Sequence, residues 1–375
     1  MSANATPRET DLVAAAITWF EGRLPDSWVV ERARRSEPEQ RSGAIASVDA
    51  FIELRSPNSV YTTLAVEARQ AMEPRDVERL LPGLARSLRA LAGFVPLLVV
   101  APWLSPRTQA LLASENINFL DLTGNALVKL DNPAVFIQSV GAARNPTPAA
   151  RGRATIRGAK AARLVRLLAD VRPPYGVSEL AAAADLTAGY VSRLLDALDR
   201  DALIERGRRG VVDDVDVTGL LRSWAVGYDV FKRDVVSAFV APKGANAALE
   251  QLAALSTRTL VTGSFAAVRL APVAAPSLLA VYCEDVNKAA RALGLLPADD
   301  GANVTLLRPF DDVVWARASV ADDIGYAGPS QVAVDCLTGN GRMPAEGEAL
   351  LEWMASNGAR WRAPSLSHLT VAQAS

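Results

Sequence analysis

Apolar residues recur at helical spacing close to the N-terminus, so residues 10–23 read as an amphipathic helix. Two strands follow, at 45–54 and 62–69, joined by RSPNS, a run of turn formers. The helical stretch at 74–91 is expected to kink near Pro82 and Gly83. A short apolar run predicts a buried strand at 97–101. A helix then opens at Ser105-Pro106, serine as its cap and proline as its first helical residue. Strands near 117–121 and 126–130 flank a turn at Gly124-Asn125. The order αββα(β)αββ predicts a mixed α/β layer over residues 1–140.

A linker is expected at 141–156, where large apolar residues are few and two prolines fall. Beyond it the pattern becomes helical. Ala161, Leu164, Val165 and Leu168 form a stripe along 158–171. A short helix is predicted at 177–184 with Ser178 as its cap, then a turn at 185–187. In the next helix Val191, Leu194, Leu195 and Leu198 bury one face, leaving Ala188, Gly189, Tyr190, Ser192 and Arg193 near its exposed start. ALIERGRRGVVDDV then reads as a β-hairpin with RGRRG at its tip. Three helices and a hairpin in this order resemble a winged helix-turn-helix, assigned to 157–232. A further helix at 218–231 carries Leu220, Leu221, Trp224 and Tyr228, a candidate dimer or interdomain contact. From about 235 short apolar strands alternate with alanine-rich helices, the last at 344–356, predicting a second α/β domain over 233–360 and a tail at 361–375.

The winged helix-turn-helix points to double-stranded DNA. A recognition helix enters the major groove by its N-terminal end, where its dipole and free N–H groups favour phosphate. Arg193 suits bidentate reading of guanine, while Thr187, Tyr190 and Ser192 suit phosphate or a thymine methyl. Ser178 and Gly189 complete this candidate surface, and Arg206, Arg208 and Arg209 suit a wing lying along a groove. From Arg151 to Arg172 seven basic residues (Arg151, Arg153, Arg157, Lys160, Arg163, Arg166 and Arg172) face one acid, Asp170. Of these, Arg157, Lys160 and Arg163 are the candidates for phosphate tracking. The net charge of −1 means that any such surface is a local patch.

Composition narrows the remaining chemistry. A chain of 375 residues suggests two or three domains at a soft prior of about 150 residues each. The start of the chain lacks the basic opening of a signal peptide, and no run approaches the roughly 18 apolar residues of a membrane span. The cytoplasm is the expected location, and no membrane partner is expected. Cys283 and Cys336 are the only cysteines and His368 the only histidine, which disfavours a zinc cluster or a histidine-based triad.

Asp49 on one strand and Glu67-Ala68-Arg69 at the end of the next resemble the motif of the restriction-endonuclease-like fold: an acid, a hairpin, then Glu-x-Lys. That resemblance implies Asp49 and Glu67 as ligands for Mg²⁺, with Glu21 as a further acid on the first helix. Arg69 stands where the family has lysine, and arginine is a wide fork that does not give up its proton. The motif therefore reads as degenerate, and no cofactor is expected unless cleavage survives. In the third block the turn at Gly263-Ser264 is similar to the opening of nucleotidyltransferase folds. Its only following acids, Glu284 and Asp285, are adjacent and on a strand would point to opposite faces.

LTGNALVKL at 122–130, TGSFAAVRLAPVAAPSLLAVY at 262–282, GANVTLLRPFDDVV at 301–314 and SQVAVDCLTGNGRMPAEGEALLEWM at 330–354 together resemble one bacterial family. It comprises the type IV toxin–antitoxin antitoxin-like (AbiEi-like) regulators, of which a subset carries the N-terminal nuclease-like block. The resemblance implies a DNA-binding transcription regulator. Two other classes stay open: a Mg²⁺-dependent DNA nuclease, and an antitoxin-like module that binds a cognate toxin. A homodimer is expected, because a single module buries too little surface to select one genomic site.

Overall fold

The computed structural model describes residues 8–33, 48–79, 81, 83–85, 88, 95–143, 145–146, 156–230 and 235–368. It is a mixed α/β chain. It divides into two compact units, Met1–Gly152 with Arg200–Ala202, and Arg153–Asp199 with Leu203–Ser375.

The first unit is a seven-stranded sheet in sequence order. Its elements are α1 (Glu9–Glu21), β1 (Val29–Arg32), β2 (Ala50–Arg55), β3 (Tyr61–Ala68), α2 (Pro74–Arg79), β4 (Leu97–Ala101), α3 (Pro106–Ser114), β5 (Asn118–Asp121), β6 (Ala126–Asp131) and β7 (Ala134–Ser139). Strands β3, β4 and β5 run parallel and the other neighbours antiparallel. Leucine and valine fill β4, whose five residues are all buried, as a strand covered on both faces requires. One face of the sheet, with Ile52, Leu64, Val66 and Val100, meets Leu12, Val13, Ala16 and Phe20 of α1. Alternate residues, including Phe51, Ala65, Val99 and Phe119, pack with Val77 and Leu112 on the opposite face. Ser105 caps α3 by accepting the Thr108 N–H at 3.1 Å, with Pro106 at the first turn. The edge strands β1 and β7 were not predicted. The expected kink at Pro82 lies outside the described residues, as do 45–47 of the strand predicted at 45–54.

The second unit joins the helix-turn-helix and the C-terminal α/β stretch in one hydrophobic core. Helices α4 (Gly158–Asp170), α5 (Val177–Ala184) and α6 (Ala188–Arg200) precede a hairpin of β8 (Ile204–Arg206) and β9 (Val212–Val215) and then α7 (Val217–Gly227). The predicted stripes are buried on α4 and α6. Asp185 turns the chain between α5 and α6 in the left-handed region, at φ 53°. The α5 cap is Gly176, whose N–H donates to Glu179 Oε2 at 2.7 Å, so the expected Ser178 cap is corrected: serine already lies inside the helix.

The α/β part runs β10 (Val235–Val240), α8 (Ala245–Gln251), β11 (Thr259–Thr262), α9 (Gly263–Ala267), β12 (Leu279–Cys283), α10 (Val286–Ala292), β13 (Leu296–Pro297), β14 (Val304–Arg308), β15 (Ser319–Ala321), β16 (Ile324–Tyr326), α11 (Pro329–Leu337) and α12 (Met343–Ser356). Its sheet order is β13-β10-β14-β12-β11-β16-β15. Leu220, Leu221, Trp224 and Tyr228 are buried within this unit, and α7 packs against α4, α11 and α12. That corrects the expectation of a dimer contact there, because these side chains have no exposed surface to offer a second copy.

Polar contacts fasten the helix-turn-helix to the α/β part. Arg166 of α4 is 1% exposed and donates to Asp170 Oδ2 (3.1 Å), Gln331 Oε1 (2.9 Å), and the carbonyls of Val313 (3.2 Å) and Ala316 (2.7 Å). Ser330 donates to the other Asp170 oxygen. Arg362 donates to the carbonyls of Leu168 and Val171 at the end of α4, where a cation suits the helix dipole. The predicted tail is thus part of the fold through this point, with Trp361 and Ala363 buried. Removing one member of a buried ion pair strands the other, at a cost of about 3–5 kcal/mol. Arg166→Ala is therefore expected to destabilise the second unit by that amount, measured by urea unfolding, with a smaller loss for Asp170→Asn.

Candidate nucleic-acid interface

The face of α6 opposite its buried stripe is the candidate reading surface. Thr187 accepts the Tyr190 N–H through its carbonyl (3.0 Å) and its hydroxyl (3.4 Å), closing the first turn. Thr187, Ala188, Gly189 and Arg193 are exposed, while Tyr190 and Ser192 are half-buried. Arg193 bends back over Gly189, where an added Cβ would lie 3.8 Å from a guanidinium nitrogen. Burial raises the Tyr190 phenol and the nearby Arg193 charge partly offsets this, so the ring enters this surface as a neutral donor.

The flanking cations do not all point outward. Arg157 and Lys160 are exposed at the start of α4, and Ser178 is exposed on α5. Arg163 is instead bound to Asp311 through two nitrogens, at 2.9–3.2 Å, and lies 3.7 Å from Asp185. The hydrogen bonds and charge of Asp311 raise the Arg163 guanidinium above its ordinary value. Arg166 is sealed in the core and Arg172 donates to the Ala359 carbonyl. Arg151 and Arg153 lie outside the described residues. The continuous basic stripe of the sequence is therefore reduced here to Arg157 and Lys160.

In the hairpin, residues 208–210 form a single 3₁₀ turn, and Arg209 stands exposed at φ 63°. The Arg208 side chain lies outside the described ones. Arg206 is ion-paired with Asp196 of α6 and donates from Nε to the Gly210 carbonyl at 3.3 Å. The exposed Asp213 carboxylate lies over Gly207, where an added Cβ would fall 1.8 Å from Oδ2 and push that side chain aside. Glu205, Asp213 and Asp214 are exposed along the hairpin strands, so only its tip presents a basic face.

In the first unit, Asp49, Glu67 and Arg69 come together at the ends of β2 and β3. Asp49 Oδ2 accepts the Ala68 N–H at 2.8 Å. Arg69 is ion-paired with Glu67 Oε1, while the buried Oε2 has no partner. Burial raises the Glu67 carboxyl, Arg69 lowers it, and Asp49 and Glu9 raise it. The helix acid whose charge reaches Glu67 is therefore Glu9. Glu21 is at the opposite end of α1, twelve residues on. The donor set fits a divalent ion poorly, because the arginine fork already holds one Glu67 oxygen. Among the described residues no group of three or more His, Cys, Asp or Glu converges as a metal site.

The Gly-Ser turn in the second unit is filled by its own chain. Ser264 donates to Glu346, both buried, and a Cβ on Gly263 (φ 61°) would meet Met343 at 2.8 Å. Asp285 caps α10 by accepting the Lys288 N–H, and Glu284 is exposed beside it. Cys283 and Cys336 are buried and unpaired, and burial pushes the Cys283 thiol up to about 12. His368 is exposed and shares a hydrogen bond with Ser365.

Below this turn lies a group of polar residues the sequence did not single out. Asp335 of α11 accepts from Thr262 Oγ1 (2.6 Å), Gln331 Nε2 (2.8 Å), Tyr282 (3.0 Å) and Tyr228 (3.1 Å). Gln331 lies four residues from Asp335 on the same helix, but the other three donors lie 53–107 residues away, so no local spacing signals them.

Compared with family models, curated proteins and solved structures, the chain has no match. No helix among the described residues is long and apolar enough to cross a membrane. The geometry also makes a prediction about pH. Burial raises the Asp335 carboxyl from 3.8 to about 6, against the pull of its four donors. Folding then favours the protonated form, so this contribution to stability is fully present below pH 3.8. It is lost as pH rises through about 6 and is flat above. Two units correspond to about 3 kcal/mol. Urea unfolding of wild type and Asp335→Asn is expected to differ in slope between pH 4 and 6, the variant lacking this decline.

Proposed function

We propose that the chain is a sequence-specific transcription regulator that binds double-stranded DNA through its winged helix-turn-helix. The observation that carries this is α6: its back is buried in the core while its first two turns stand exposed, with Arg193 at the surface. A helix so placed can lie in a major groove with its start toward the base edges. In this reading Arg193 reads a guanine, Tyr190 and Ser192 flank it, and Thr187 and the free N–H groups of Ala188 and Gly189 receive phosphate. Arg157, Lys160, Ser178 and Arg209 at the wing tip hold the DNA backbone. Arg163, committed to Asp311, supports the turn rather than the DNA. The regulator acts as a homodimer, one α6 per half-site, on DNA in the cytoplasm.

A second reading is favoured by one observation, the unpartnered Oε2 of Glu67 beside Asp49 and Arg69. It makes the first unit a nuclease-like scaffold. We propose a scaffold without cleavage, since Arg69 neither yields a proton nor vacates the carboxylate. Incubating plasmid DNA with the protein and Mg²⁺ is expected to leave it intact. Nicking that disappears in Glu67→Ala would establish an enzyme instead.

The regulator reading is tested by selecting genomic fragments with the purified protein at near-physiological salt. Enrichment of a defined site is expected, with Arg193→Ala weakening it by about 1–3 kcal/mol and relaxing the preference at one base pair. Equal binding of all fragments by wild type and variant, or no binding, would remove α6 as a sequence reader.

A further inference from the structure

Arg206 has the sequence position of a phosphate contact and the surroundings of something else. Its side chain is 18% exposed, and its guanidinium is shared between the Asp196 carboxylate and the Gly210 carbonyl. The contact with Gly210 is close enough to exclude any larger residue there: a Cβ would stand 2.7 Å from an Arg206 nitrogen, on a backbone at φ 74°. The arginine therefore wraps around the tip of the wing and ties it to the recognition helix. Arg209, next to that glycine, is left exposed.

The partner at the other end is equally specific. Asp196 is the exposed carboxylate of α6, since Asp199 of the same helix is buried. It follows Arg193 by three residues and Ser192 by four, which puts it on their face of the helix. A bare carboxylate there would meet DNA phosphates as a like charge. Arg206 neutralises it without leaving the fold.

We infer that Arg206 is a positioning residue of the DNA-reading surface, acting through Asp196 and Gly210 to set the wing tip against α6 and to cancel the one opposing charge beside Arg193. The inference rests on the regulator reading and assigns different work to two arginines of one hairpin. Arg209 touches the phosphate backbone, whereas Arg206 does not.

The salt dependence of binding separates these roles, because each phosphate contact contributes about 0.9 to the slope of log K against log salt. The measurement uses the full chain and the DNA fragment it enriches most. Arg209→Gln is expected to lower the slope by about one contact. Arg206→Gln is expected to weaken binding about tenfold, because it exposes the Asp196 charge to the phosphates. Asp196→Asn combined with Arg206→Gln is expected to be no weaker than Arg206→Gln alone and to keep the wild-type slope, since the pair acts as a unit. A slope that falls by one contact in the double variant would overturn the inference and make Arg206 a phosphate contact. Additive losses in the double variant would overturn it too. If wild type enriches no fragment, the regulator reading fails and this inference with it, an outcome distinct from either of the others.

Discussion

The buried pair of Arg166 and Asp170 is the constraint on which the second unit turns. Charge inside a protein is tolerated only when it is paired and its remaining donors and acceptors are met. Arg166 meets that condition with groups from three places: its own helix, the segment 313–316, and Gln331 of α11. Ser330 and Arg362 complete the arrangement from the α11 and tail sides. Because each partner would be left with an unpaired charge or donor by separation, the helix-turn-helix cannot leave the α/β part without breaking several buried contacts at once. The two stretches that the sequence divides at residue 232 fold as one body. Helix α6 is carried on this common core, and Trp224 and Tyr228 are buried within it.

That constraint also explains which features were legible in the chain. Periodicity located α1, β4, α3, α4, α5 and α6 to within a residue or two, because each buries one face against a continuous core. The edge strands β1 and β7 escaped notice: β1 has no buried residue, and a strand without a buried face leaves no alternation to read. Helix α11 was missed for the opposite reason. Seven consecutive residues are buried, among them Ser330, Gln331 and Asp335, so neither an apolar stripe nor a polar face remains. The exposed candidates Thr187, Gly189 and Arg193 could be named from spacing alone. The roles of Arg163, Arg166 and Arg206 could not, since Asp311 and all the Arg166 partners except Asp170 lie 147–165 residues away and the Arg206 partner lies across a turn.

The same redistribution alters the electrostatics of the reading surface. A count of basic residues suggested a long phosphate-tracking stripe, yet burial and ion pairing withdraw Arg163 and Arg166 and turn Arg206 inward. Exposed acids on the hairpin strands further restrict the wing to its tip. Of the basic candidates among the described residues, Arg157, Lys160, Arg193 and Arg209 are exposed, and under the proposed DNA-binding reading these would supply the charge that neutralises phosphate.

The two flanking sites follow a common logic. In the first unit Arg69 lies against Glu67 and holds one of its carboxylate oxygens. In the second, Glu346 and Met343 close over the Gly263-Ser264 turn. Open sites hold unsatisfied polar groups and strained backbone, and they lower stability for the sake of chemistry. Filling them from within removes that penalty and removes the room for substrate. In the second unit the satisfaction is nearly complete, down to four donors on Asp335. In the first it is not, because Glu67 Oε2 still lacks a partner. The two units therefore differ in kind: the polar residues around the turn of the second satisfy one another, while the first keeps a buried carboxylate oxygen without a partner beside Arg69.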